Sequence, residues 1–148
     1  MISLPKPPLS PYGTFSGDLF QYASNRVAFE SNPMQACKCI LIGGLSDGLL
    51  PVPYTERLLS SNYSLVQPII SSSYTGFGHG SLQRDSEELH ELVVYLRAHR
   101  QAETIAMVGH STGCQNIVHY LRDHSINLAV LQAPVSDREH AATEDGYE

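Results

Sequence analysis

At 148 residues, with 42% apolar residues and charges of both signs, the chain has the length of one core and the composition of a soluble globular protein, so residues 1–148 are expected to form a single domain. A formal net charge of −6, with no basic cluster, argues against nucleic acid and anionic membranes as partners. No apolar run reaches the ~18 residues of a membrane span, the start lacks the order of a signal peptide, and three cysteines cannot all pair within the chain, which makes the cytoplasm the expected compartment. Residues 1–14 are proline-rich and read as an irregular N-terminal segment. Leu19–Ala23 and Arg26–Glu30 alternate weakly about Ser24-Asn25, as a hairpin does. Cys37–Ile42 is a short apolar strand stopped by Gly43-Gly44. Cys37 and Cys39 share one side of it; without a second pair they read as packing thiols rather than half a metal site. Pro53–Ser61 predicts a short helix with Leu58 and Leu59 inward. Ser64–Ile70 predicts a strand in which Pro68 requires an edge, a bend or an unpaired amide. Ser71–Gly80 is a loop, and Ser81 caps a helix running to about Arg100 with Leu89, Leu92, Val93 and Leu96 on its apolar face and His90 and His99 in solvent. Thr104–Val108 is a strand. Cys114–Arg122 is a helix with Ile117, Val118 and Leu121 inward, and Leu128–Pro134 is the last apolar strand.

Apolar strands alternating with helical segments predict an α/β fold, a mainly parallel sheet with helices on both faces and the 104–108 strand at its centre. Ligands gather at the carboxyl ends of such strands. Gly43–Gly48, Ser71–Gly80, Ser111 and Pro134–Glu139 all follow strands and are therefore expected on one rim. Between the 104–108 strand and its helix stands Gly109-His110-Ser111-Thr112-Gly113. A Gly-x-Ser-x-Gly in that context is a nucleophile elbow: the chain turns so sharply that the serine is strained and raised above the sheet, and side chains at Gly109 and Gly113 would collide. The plainer alternative is an ordinary glycine-bounded turn. Asp47 and Asp85 read as caps of turns or helices, and Cys114 as a packing thiol.

Five stretches, Gly43-Gly44-Leu45-Ser46-Asp47-Gly48, Ser71-Ser72-Ser73-Tyr74-Thr75-Gly76, Ser81-Leu82-Gln83-Arg84-Asp85, Gly109 to Gln115 and Leu131 to Glu139, together resemble one family of α/β-hydrolases. That family, long known only as a domain of unknown function, includes fungal esterases acting on fusarinine-type siderophores. The resemblance spans roughly residues 37 to 143. It implies that this chain is the N-terminal part of an α/β-hydrolase fold, with Ser111 attacking the carbonyl of a small-molecule ester, no cofactor and no metal. The oxyanion would be met by the backbone N–H groups of Leu45 and Thr112.

In the resembled family, further strands after the segment matching Asp137-Arg138-Glu139 supply an acid and a histidine. Here the sequence stops at Glu148, so the resemblance implies an incomplete domain, truncated toward its C-terminus. Asp137 and His140 follow the serine in the right order, but only two residues intervene between them, which makes them weak acid and base candidates. His110 adjoins Ser111 but projects differently on a tight turn. The expectation is a serine hydrolase acting on carboxylic esters with doubtful turnover in this chain; the alternatives are a non-catalytic α/β-hydrolase-like binding module or an inactive truncated product. An unclosed sheet also leaves the last strand as an apolar edge that favours self-association.

Overall fold

The computed structural model describes residues 14–136, 138–139 and 142–143. Six strands form one sheet: β1 (Asp18–Ala23), β2 (Arg26–Ser31), β3 (Cys37–Ile42), β4 (Ser64–Pro68), β5 (Thr104–His110) and β6 (Leu128–Gln132), in the order β1-β2-β4-β3-β5-β6. β4, β3, β5 and β6 run parallel, while β2 pairs antiparallel with both β1 and β4. The serine-bearing turn therefore leaves an interior strand, as expected. β3 and β5 are in register from Cys37↔Thr104 to Ile42↔Gly109, which brings the glycines after β3 beside the end of β5. The N-terminal hairpin turns at Asn25, whose φ of 58° suits an asparagine.

Alternation along β3 divides the core. Ile40 and Ile42 face the larger cluster, with Val66, Ile105 and Met107, while Cys39 and Leu41 face the smaller one with Leu65. Both α-helices cover the larger cluster: α1 (Leu82–His99) through Leu89, Leu92, Val93 and Leu96, and α2 (Gly113–Tyr120) through Ile117 and Tyr120. Each of those α1 side chains contributes up to about 1.5–3 kcal/mol by leaving water. Ser81 caps α1 as its sequence predicts, its side chain accepting from Arg84 N at 3.1 Å. The cover on the two faces is unequal. In place of the helix expected over Pro53–Ser61 there is one 3-10 turn, Thr55–Leu58; Leu58 packs on the smaller cluster but Leu59 is exposed. Ser60-Ser61-Asn62 follow directly, residues whose side chains compete for the backbone and favour a turn over a longer helix.

Pro68 resolves into an unpaired amide at a strand end. β4 is interior, its pairing with β3 stops at Val66, and the strand itself stops at Pro68. The far edge is the exposed apolar strand expected above, while the helix beside it differs from its reading. β6 joins the sheet, yet Leu128, Val130 and Leu131 are 58%, 42% and 43% exposed, and Val118 and Leu121 of the neighbouring α2 segment are exposed too rather than inward. The α2 face that meets the sheet is Cys114, Ile117 and Tyr120, three residues apart, which turns Val118 and Leu121 away.

Candidate active site

The turn after β5 depends on its two glycines. A Cβ on Gly109 would lie 2.8 Å from Gly113 O and 2.9 Å from Cys114 N, and one on Gly113 would overlap the carbonyl oxygens of Ile42 and Gly43. Their absence lets α2 start directly above β3. Ser111 between them has φ 53°, a left-handed conformation that a serine adopts at a cost of about 1–2 kcal/mol. The strain is held by backbone bonds on either side: Ser111 N donates to Gln132 O at 3.0 Å, and Cys114 N donates to Ser111 O at 3.0 Å. Ser111 Oγ has no hydrogen-bond partner among the described residues.

The Gly43–Gly48 loop closes the other side. Asp47 caps this turn as expected: its Oδ2 accepts from Gly44 N at 2.7 Å and its N donates to Gly44 O at 3.1 Å. Gly44 approaches the serine so closely that a Cβ there would lie 3.2 Å from Ser111 Cβ. Gly44 N–H is thus spoken for, whereas those of Leu45 and Thr112 meet no protein acceptor among the described residues. Ser46 next along has φ 61°, a second left-handed residue beside the serine, in the facing loop.

His110 turns away from the serine. Its Nδ1 lies against Gln132 Oε1 and 3.0 Å from Tyr54 Oη, and Tyr54 also donates to Gln132 Oε1 at 2.8 Å. Burial holds the Tyr54 phenol above its ordinary range, which keeps it a donor. These three side chains tie the segment before the 3-10 turn to the ends of β5 and β6. Nothing in their spacing announces the contact, since Tyr54 and Gln132 are 78 positions apart. Cys114 is 2% exposed, with Sγ 3.2 Å from Gly109 O, and burial raises its pKa; the packing reading of this thiol fits. Burial likewise pushes Cys39 up to about 11, while Cys37 is half-buried.

Asp85 departs from its expected capping role. It is 4% exposed, and its Oδ2 accepts from Ser72 Oγ at 2.5 Å and from Asn116 Nδ2 at 3.0 Å, joining the loop before α1, α1 and α2. One turn on, Glu88 does similar work, accepting from Ser71 N at 2.7 Å and Arg26 Nη2 at 2.8 Å. Burial alone would raise its pKa, but the bonds from Arg26 and Ser71 hold it below the ordinary carboxylate value. Asp137 and His140 lie outside the described residues.

Residues 3–147 match the family described as protein of unknown function (DUF1749). The chain is 38% identical over 153 residues to the UPF0613 protein PB24D3.06c of Schizosaccharomyces pombe, covering 89% of this chain and 48% of that protein. It is 30% identical to the fusarinine C esterase sidJ of Aspergillus fumigatus, covering 87% and 46%. Among solved structures it superposes on the siderophore hydrolase EstB from Aspergillus fumigatus with a TM-score of 0.72 at 31% identity, over 94% of this chain and 47% of that one. The chain spans about half the length of the curated relatives it matches. By its sequence and by a sheet that superposes on α/β-hydrolase-fold structures, the chain belongs to the DUF1749 family.

Proposed function

We propose that this chain is a serine hydrolase of α/β-hydrolase type, acting on carboxylic esters of small molecules, with Ser111 as its nucleophile. The observation that carries the reading is the left-handed Ser111 at the β5–α2 turn, packed against Gly44 with a hydroxyl that has no protein partner among the described residues. Ser111 Oγ attacks the ester carbonyl, and the developing oxyanion is met by the N–H groups of Leu45 and Thr112 at the positive end of α2. The names of the esterase and siderophore-hydrolase relatives support siderophore-like esters as the substrate class. Residues 1–148 form one incomplete α/β-hydrolase domain in this reading, and the exposed β6 edge is where it pairs with another strand. The three free thiols support a cytoplasmic location.

A serine without a placed base is a weak nucleophile. No histidine among the described residues hydrogen-bonds Ser111, so turnover by the 148-residue chain is low unless Asp137 and His140 serve. The test is labelling by a fluorophosphonate, with the adduct mapped by mass spectrometry, in the presence and absence of imidazole as an added base. The expected result is a slow adduct at Ser111, faster with imidazole and lost in Ser111→Ala. If His140 is the base, labelling is fast without imidazole and falls in His140→Ala. No adduct at Ser111 in either condition overturns the hydrolase reading in favour of a binding module.

A further inference from the structure

Beside the Gly43–Gly48 loop lies a cavity of about 190 Å³, enclosed by that loop, the segment before α1 and the starts of both helices. Leu45 and Thr112, which carry the two unaccepted N–H groups, belong to its wall, so whatever fills it sits next to the ester carbonyl in the reading above, on which this placement rests. The wall has no basic residue. Its charged members are Asp47, whose Oδ2 is engaged by Gly44 N, and Asp85. Asp85 is the unusual one. Its Oδ2 is saturated by Ser72 and Asn116, which also line the cavity, whereas Oδ1 is buried and meets no hydrogen-bond donor among the described residues. Asp85 forms no salt bridge with any described residue, although Arg84 is its neighbour in the chain.

A buried carboxyl oxygen without a donor is costly, and such oxygens in native proteins are ordinarily satisfied. A donor that enters the cavity from outside can supply the missing partner. In a wall that is acidic and contains no cation, a positively charged donor gains most. We propose that this cavity is a recognition subsite for a primary ammonium group on the substrate, bound by Asp85 Oδ1. A volume near six times that of one water molecule, at ~30 Å³ each, admits a short amino-alkyl branch and excludes a bulky one.

Binding can be read without turnover, which separates this proposal from the hydrolase reading. Amide NMR spectra of the full chain are titrated with n-butylammonium chloride and, in parallel, with n-butanol. The expected result is saturable shifts at Leu45, Ser72, Thr112 and Asn116 with the ammonium only, and binding weakened about tenfold in Asp85→Asn, the order set by loss of one charged hydrogen bond. Equal binding of ammonium and alcohol, shifts confined to other parts of the chain, or an Asp85→Asn variant that is folded and binds as tightly as wild type would each overturn it. If Asp85→Asn does not fold, the ammonium–alcohol comparison on the wild type still decides. A failed titration with Ser111 labelled removes the subsite alone; a successful titration with Ser111 unlabelled removes the hydrolase and leaves an amine-binding cavity.

Discussion

The two ends of β3 solve opposite problems. At its start Lys38 is 0% exposed, and its three N–H donors are all met, by Glu30 Oε1 at 2.6 Å, Pro33 O at 2.8 Å and Ser64 Oγ at 3.1 Å. Glu30 is completed in turn by Arg100 Nε at 2.8 Å, and Arg100 reaches Asp18. At its end, past Ile42, groups meet no partner among the described residues: the N–H of Leu45 and of Thr112, the hydroxyl of Ser111 and Oδ1 of Asp85. Backbone strain divides the same way. The left-handed residues in the loops after the parallel strands are Ser46, Leu50, Tyr74, Ser111 and Ala133, residue types that resist it, whereas Asn32 and Gln101 serve the other end. Closed polar networks specify a fold, and open groups held under strain are where ligands and chemistry belong.

The largest expected effect comes from closing the rim. Gly113→Ala places a methyl group on the carbonyls of Ile42 and Gly43, which are backbone and cannot swing aside. We expect a loss of about 4 kcal/mol or more, or failure to fold, measured by urea unfolding. A loss within about 0.5 kcal/mol would mean that α2 does not approach β3 so closely. Next is the closed end: Lys38→Met leaves Glu30 Oε1 without its donor in the core while Arg100 still holds Oε2, and should cost about 1.5–3 kcal/mol, the order of one lost hydrogen bond to a buried charge. A cost below about 1 kcal/mol would place the pair in solvent and dissolve the contrast. Smaller again is relief of strain: Ser111→Gly should be more stable than Ser111→Ala by about 1 kcal/mol, because glycine accepts a positive φ that alanine resists. Equal stability of the two would show that Ser111 is not strained.

What was legible in the sequence is what local pattern encodes. The strand starts, the Ser81 cap, the apolar face of α1 and the glycines about Ser111 each depend on residues a few positions apart. The misreadings come from partners far along the chain or from competition within a short segment. Asp85 looked like a helix cap because its partners Ser72 and Asn116 are 13 and 31 positions away. The pairing of Glu30 with Lys38 went unread, since one partner of Glu30, Arg100, lies 70 positions on. The Pro53–Ser61 pattern counted two leucines as a helical face where the chain makes only one 3-10 turn, and Leu59 lies exposed beyond it. Val118 and Leu121 were apolar at helical spacing, but spacing alone cannot say which stripe of a helix the sheet will cover.

His90 illustrates the same limit and supplies the smallest expected effect. Helical spacing put it in solvent, yet it is half-buried, its ring stacked on His124 with centroids 3.9 Å apart and its Nδ1 3.4 Å from Tyr120 Oη. Burial, then the charges of His124 and Arg97, lower its pKa from the ordinary value of 6.5. As the pH falls through that ordinary value, the unfolded chain takes up the proton before the folded one, so folding stability contributed by neutral His90 is present above it and is lost on the acid side. The check is urea unfolding at about pH 7.5 and about pH 5.5, on either side of the free imidazole value. Wild type should lose stability between the two, and His90→Gln should lose less. If the variant loses as much as wild type, the stacked ring titrates as it does in water, and the packing of His90 between α1 and the turn after α2 has no energetic consequence.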